Sequence, residues 1–559
     1  MNRISRKQAQ NLRLFACGFA AILVILAASA LSANATSYNA NKKEEEAVEI
    51  IAPDKVSHDA INVIENARTG EDDDYDVRED AEFESSLSLK NAVLLKGGAL
   101  KLTNAKLDKT GDAPDVNADY YGTNAALLTI NDAKLLLSGG KITSDGAYAN
   151  ALFAYGNSKI TTQKTTILTN GANAGGIMVA AGGQISAEDI EVATSGEKSP
   201  AIRTGFGGGS IKVTGGQYKT TGANSPVIYS VGEVSAKNAR LEAITAEGII
   251  IDGDASVDLN YVTLTDNNSA TNTGARFSRN IVLQKSDDEI SQKGTTKFTA
   301  TGSTITTSKG WAIYATNTSA KIELTGNSFV NDESNNNGFL RIEASSPNNS
   351  ANATISMTSG ADVDMTISKQ NTTGAIEVDR FSTLNLTFKD KSKYQGAINK
   401  ANNAKRVTVS LSADSIIVLN EDTHIDRLDN EDSTNQNIYS NKHKLYVGGE
   451  VVSVNDSEVV PTVTVDPSKT GAGKEPSEEP EEKPKQQVNL AALVALIGVA
   501  FFFIIVILIV MAVNKSKQAK AAQAAAAQEQ ARLNLEAQMR AQEQSQDFGK
   551  NNYPYPPYA

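Results

Sequence analysis

The residues best placed to do chemistry are acidic. Asp252, Asp254 and Asp258 fall in one short stretch, with Arg276 and Arg279 close behind. Paired carboxylates at a fixed separation are what general acid–base attack on a glycosidic bond requires. Asp252-Gly253-Asp254 is equally what an ordinary turn looks like. The three histidines, His58, His424 and His443, share no motif. No glycine-rich phosphate loop stands between a strand and a helix, and no Cys/His spacing suits a metal. No catalytic residue, metal ligand or cofactor is assigned, and the chain reads as a binding or structural protein rather than an enzyme.

A second set has types suited to binding. Phe153, Met178, Arg203 and Tyr229 recur at nearly equal steps, and Tyr314 follows Ile313 in the same manner further on. Each comes directly after an aliphatic residue: Leu152, Ile177, Ile202, Ile228. Strand side chains alternate between faces, so if the aliphatics point inward the second set points out. An outward row of aromatics with a guanidinium suits a sugar chain or another protein. This row is the candidate binding site.

Such a row needs coils that stack in register, and the sequence repeats accordingly. LLTINDAKLLLSGGKITSDGAYANA at Leu127 aligns with segments opening at Leu152, Ile177, Ile202 and Ile228, in steps of 25, 25, 25 and 26. Each copy opens on an apolar strand and closes on a glycine turn: Asp145-Gly146, Asn170-Gly171, Ser195-Gly196, Thr221-Gly222. A period in the twenties built from short strands is the mark of a solenoid. Three strands and three turns use about 20–30 residues, so the fold expected is all-β, a parallel β-helix. The closing glycines are expected to supply backbone freedom. Residues 87–455 form this body, at roughly 12–15 coils and about 60–70 Å of stacked strands. The segment from His443, HKLYVGGEVVSV, closes its end.

The flanks differ in character. Residues 1–13 carry four basic residues, and an uncharged run follows, which reads as a signal peptide over 1–35 or an uncleaved anchor. Residues 36–86 hold 16 acidic against 5 basic residues, most densely at Glu71-Asp72-Asp73-Asp74. They are expected to be a disordered spacer rather than a calcium loop. Residues 456–487 form a Pro/Glu-rich stalk. Residues 488–514 contain a 24-residue uncharged apolar stretch followed by lysines, read as a single transmembrane helix. Residues 515–559 are then a cytoplasmic tail, partly helical, with a Tyr/Pro-rich end and no partner indicated. The net charge of −12 argues against nucleic acid as a partner. Cys17 is the one cysteine, so the body has no thiol, which leans toward a bacterial surface protein.

Ser138-Gly139-Gly140-Lys141-Ile142-Thr143-Ser144 and Thr214-Gly215-Gly216-Gln217-Tyr218 are similar to adhesin-type repeats. The coils resemble those of right-handed parallel β-helix surface proteins, a group that spans pectate-lyase-like enzymes, secreted adhesins and autotransporter passengers. A single apolar helix stands where autotransporters carry a membrane barrel. The resemblance implies a membrane-anchored, cell-surface adhesin or glycan-binding ectodomain, its partner a polysaccharide or a host or cell-surface protein. A β-helical polysaccharide lyase or hydrolase is one alternative, and a purely structural surface protein another.

Overall fold

The computed structural model describes residues 55–268, 278–286, 291–331, 338–344 and 360–461. The expected signal segment, the apolar stretch near residue 500, the tail and nearly all of the stalk lie outside them. Among the described residues, no helix is long and apolar enough to cross a membrane.

The chain winds through three parallel sheets in turn. Strands Leu127–Ile130, Lys134–Ser138 and Lys141–Ser144 make one coil, and Leu152–Tyr155, Lys159–Gln163 and Thr166–Thr169 make the next. Each strand pairs in parallel with its counterpart one coil on, Leu152 beside Ile177 and Ile160 beside Ile185. The first, second and third sheets have 12, 14 and 10 strands. This is a parallel β-helix. At about 4.8 Å per strand, the 14-stranded sheet spans roughly 62 Å.

Alternation explains why these residues fold so. In Lys159–Gln163 the isoleucine and second threonine are buried, while the lysine, first threonine and glutamine are exposed. Like aliphatics stack on like: Leu127, Leu152, Ile177, Ile202 and Ile228 all belong to one continuous core. The corner between the second and third sheets is built the same way on several coils, while two others turn on Gly139-Gly140 and Gly215-Gly216. One residue adopts a left-handed conformation, as at Asn104, Lys164, Asp189, Asn238 and Tyr261, and the next turns inward, as at Ala105, Ile190 and Val262.

Two expectations are corrected. The β-helix starts well before residue 87. Strands Ala60–Ile64, Asp76–Glu79 and Glu82–Ser85 form a first coil, with Ala60, Ile64 and Phe83 buried and Glu82 and Glu84 of the third strand facing out. The dense run is only a turn within it, where Asp74 accepts from Arg68 at 3.0 Å and from the Thr69 amide at 3.0 Å. Outward acids do not prevent a strand from burying its other face. The closing glycines, in turn, need no unusual φ. Gly146, Gly171, Gly196 and Gly222 stack so closely that a Cβ on each would strike the carbonyl of the glycine one coil before. Backbone approach, not torsion, selects glycine there.

Leu445–Val447 and Glu450–Val452 pair antiparallel across Gly448-Gly449. The hairpin extends the small sheet that starts at Thr423–Ile425, with Leu445 buried in the core.

Candidate functional site

The expected row exists, and its register is as read. Phe153 pairs with Met178, Met178 with Arg203, and Arg203 with Tyr229. The row continues through Ile250 and Val282 to Tyr314 and Arg341. All turn away from the core. The row is nevertheless not an exposed surface: Phe153 and Met178 are fully buried, Tyr314 is 1% exposed, and Arg203 and Tyr229 are partly covered.

The cover comes from the chain itself. After Lys106–Lys109 the coil grows a detour carrying the short helix Asn117–Tyr121, which lies over the outer face of the first sheet. Asn91 Nδ2 ties it down by donating to the carbonyls of Gly122 at 2.7 Å and Ala125 at 2.9 Å. Tyr120 and Tyr121 pack with Val231, Tyr155, Phe206 and Tyr229 in an aromatic cluster. His58 adds an edge, with Nε2 2.9 Å from the Tyr121 carbonyl. Burial pulls its imidazole below the usual value, and the hydrogen bond opposes this. Arg203 is charge-paired inside this cover, while its Nε has no hydrogen-bond partner. It donates to Asp119 at 2.6 Å, and Asp119 also accepts from Asn150 Nδ2 at 3.1 Å. Further along, Arg279 sits 5.0 Å from the centre of the Tyr314 ring and pairs with Glu247 at 3.0 Å.

The aspartates do not converge. Asp252 is buried and saturated, accepting from Ser291 Oγ at 2.6 Å, the Ser286 amide at 2.8 Å and Tyr229 Oη at 3.0 Å. It pins the segment that follows its neighbouring strand. Asp254 lies in the turn after it, accepting from the Thr295 amide at 3.3 Å. Asp258 sits on the outer face of the second sheet between Ser235 and Thr299, where partial burial raises its pKa. Arg279 faces Glu247 instead, and Arg276 lies outside the described residues.

The concave site lies at the corner between the first and second sheets and takes in Asp254 alone of the three aspartates. There an open groove of about 630 Å³ crosses five successive coils. Gly182, Gly207, Gly208, Gly209 and Gly232 form much of its lining, which leaves the backbone bare. Close stacking requires this at Gly209, where a Cβ would stand 2.8 Å from Val179 Cγ2. Phe206 and Val231 supply an apolar wall shared with the aromatic cluster. Glu233, Asp254, Gln292 and Lys297 supply charges, an amide and donors. Ser210, Glu233, Ser256 and Lys297 are consecutive in one outward ladder of the second sheet, so the groove presents a polar group at each rung. The sequence carried a signal for it. Gly205-Phe206-Gly207-Gly208-Gly209 sets one aromatic among glycines, in the coil that is one residue longer than those before it.

Comparison with protein-family models, with curated proteins and with solved structures returns no match.

Proposed function

We propose that this chain is a membrane-held β-helix ectodomain that binds an extended glycan, and that the Phe206 groove is where it binds. The groove carries the proposal. It is long and open, with an aromatic wall beside carboxylates, an amide, hydroxyls and a lysine. Sugars offer that pairing of apolar ring faces and hydroxyl edges. Polymer units about 5 Å long would match rungs about 4.8 Å apart. The covered row Phe153, Met178 serves instead as the seat for the helix Asn117–Tyr121. A polysaccharide-cleaving activity is the second reading, favoured by two carboxylates, Glu233 and Asp254, in the same groove.

The purified full-length chain, probed on a glycan array, should bind one glycan class. Phe206→Ala and Lys297→Ala should each weaken that binding about tenfold, the scale of one or two contacts. Retention of full binding by both variants would place the site elsewhere. Product release from the bound glycan would decide for the cleaving activity. The proposed anchoring rests on the apolar stretch near residue 500 and the lysines after it. Protease added to intact cells should remove the β-helix and spare the tail.

A further inference from the structure

The last inward position of each third-sheet strand forms a ladder along the core. Ser85, Lys109, Ser144, Thr169, Thr194, Thr220, Ala243, Asp266, Thr307 and Asn331 occupy it in turn. Ser85, Lys109, Ser144, Thr194 and Thr220 use the position as a hydrogen-bond donor. Ser85 donates to the Lys90 carbonyl at 2.7 Å, and Ser144, Thr194 and Thr220 each donate to the carbonyl five residues on. Lys109 Nζ donates to the carbonyls of Gly111 at 2.8 Å and Leu87 at 2.9 Å. Asp266 puts a carboxylate there, fully buried.

Its surroundings are acceptors too. Asp266 Oδ1 accepts from the Asn268 amide at 2.7 Å, and Oδ2 has no hydrogen-bond partner. Asn268 Oδ1 and Asn280 Oδ1 are also buried without a partner. Both amide groups are oriented by their nitrogens. Asn280 Nδ2 donates to the Thr306 carbonyl and to Thr307 Oγ1, each at 3.0 Å, and Asn268 Nδ2 donates to the Arg279 carbonyl at 3.4 Å. Thr307 is the strand partner of Asp266, so the Asn280 side chain and Asp266 meet on one residue. Asn268 is joined to both sides. Glu247, 4% exposed, lies close enough to act on Asp266 and is paired with Arg279.

Three buried oxygens with no donor are costly, at about 1–3 kcal/mol for each unsatisfied group. A single proton on Oδ2 can satisfy at most one amide oxygen, which leaves another bare. A cation answers all three. We propose that Asp266, Asn268 and Asn280 form a buried site for a hard, oxygen-preferring cation of the calcium class. They supply three of the six to eight oxygens such an ion takes. Asp266 and Glu247 against Arg279 leave one net negative charge for the ion to meet.

The test uses the full-length chain stripped with chelator at neutral pH, then titrated calorimetrically with calcium, magnesium or sodium chloride. Thermal unfolding is followed in parallel. Calcium should bind with one equivalent that depends on Asp266 and should raise the melting temperature. Asp266→Thr restores the hydroxyl used by neighbouring coils, so it should fold and lose that equivalent. Asp266→Asn should weaken it at least tenfold. Retention of the equivalent in Asp266→Thr overturns the site. So does a wild-type chain whose stability follows pH but not calcium. Preferential uptake of magnesium or sodium overturns the calcium assignment.

Discussion

Replacing Gly196 with alanine tests why the closing turns are glycine. The Cβ would lie 2.5 Å from the Gly171 carbonyl carbon and 2.8 Å from Ser199 Oγ. Carbon–carbon contacts settle at about 3.5–4.0 Å, so the two coils must part by at least about 1 Å. Two bonds at this seam cannot follow. The Ser195 amide donates to the Thr169 carbonyl at 2.9 Å, and Ser199 Oγ donates to the Gly171 carbonyl at 2.9 Å. Each buried group left unsatisfied costs about 1–3 kcal/mol, so the substitution should cost roughly 2–6 kcal/mol. Gly156→Ala is the control. Gly156 has φ +66° and nothing within 4 Å of a built Cβ, so alanine there meets only the left-handed penalty of about 1–2 kcal/mol. Urea unfolding can be followed by the single tryptophan, Trp311. If Gly196→Ala costs no more than Gly156→Ala, close stacking is not what selects glycine.

Asp119→Ala should destabilise by about 3–5 kcal/mol, because it leaves the Arg203 charge covered and unpaired. The double variant Asp119→Ala, Arg203→Met should recover much of that loss in a denaturation cycle, and a cycle with no coupling would refute the pairing. Ile177→Ala and Ile202→Ala, both fully buried and in register, should each cost about 2–5 kcal/mol; losses under about 0.5 kcal/mol would mean the register is wrong. Burial lowers the Lys109 pKa to about 8. The unfolded chain then binds more protons than the folded one between about pH 8 and the usual lysine value near 10.4. Wild-type stability should therefore gain from this group as pH rises through that window. The stability of wild type relative to Lys109→Thr should therefore rise across that window; a pH-independent difference would refute it.

Much of the fold was legible because a coil repeats its constraints. Inward Leu or Ile at a step of 25, with polar residues alternating, determines both the stack and the direction of Phe153 and Arg203. What those residues meet was not legible. The detour 110–124 carries no period, and the Asp119 that partners Arg203 is 84 residues away, so neither alternation nor spacing points to it. The first coil was hidden for a different reason: its outward acids dominate the composition while only a few inward residues, such as Ile64 and Phe83, hold it to the core. The glycines of the groove were visible as a run, but a run read as a turn says nothing of the concavity that five stacked turns make.

The parallel pairing has a mechanical consequence. Hydrogen bonds between coils point along the stack, from one turn of chain to the next. A pull applied between the two ends of the β-helix would load these seams in series, so the weakest yields alone while the others hold. Each release frees one coil of about 25 residues, which extends to roughly 80–90 Å at about 3.3–3.6 Å per residue. Under tension the β-helix would lengthen in discrete steps, and a bound polymer crossing five coils would brace those seams against opening.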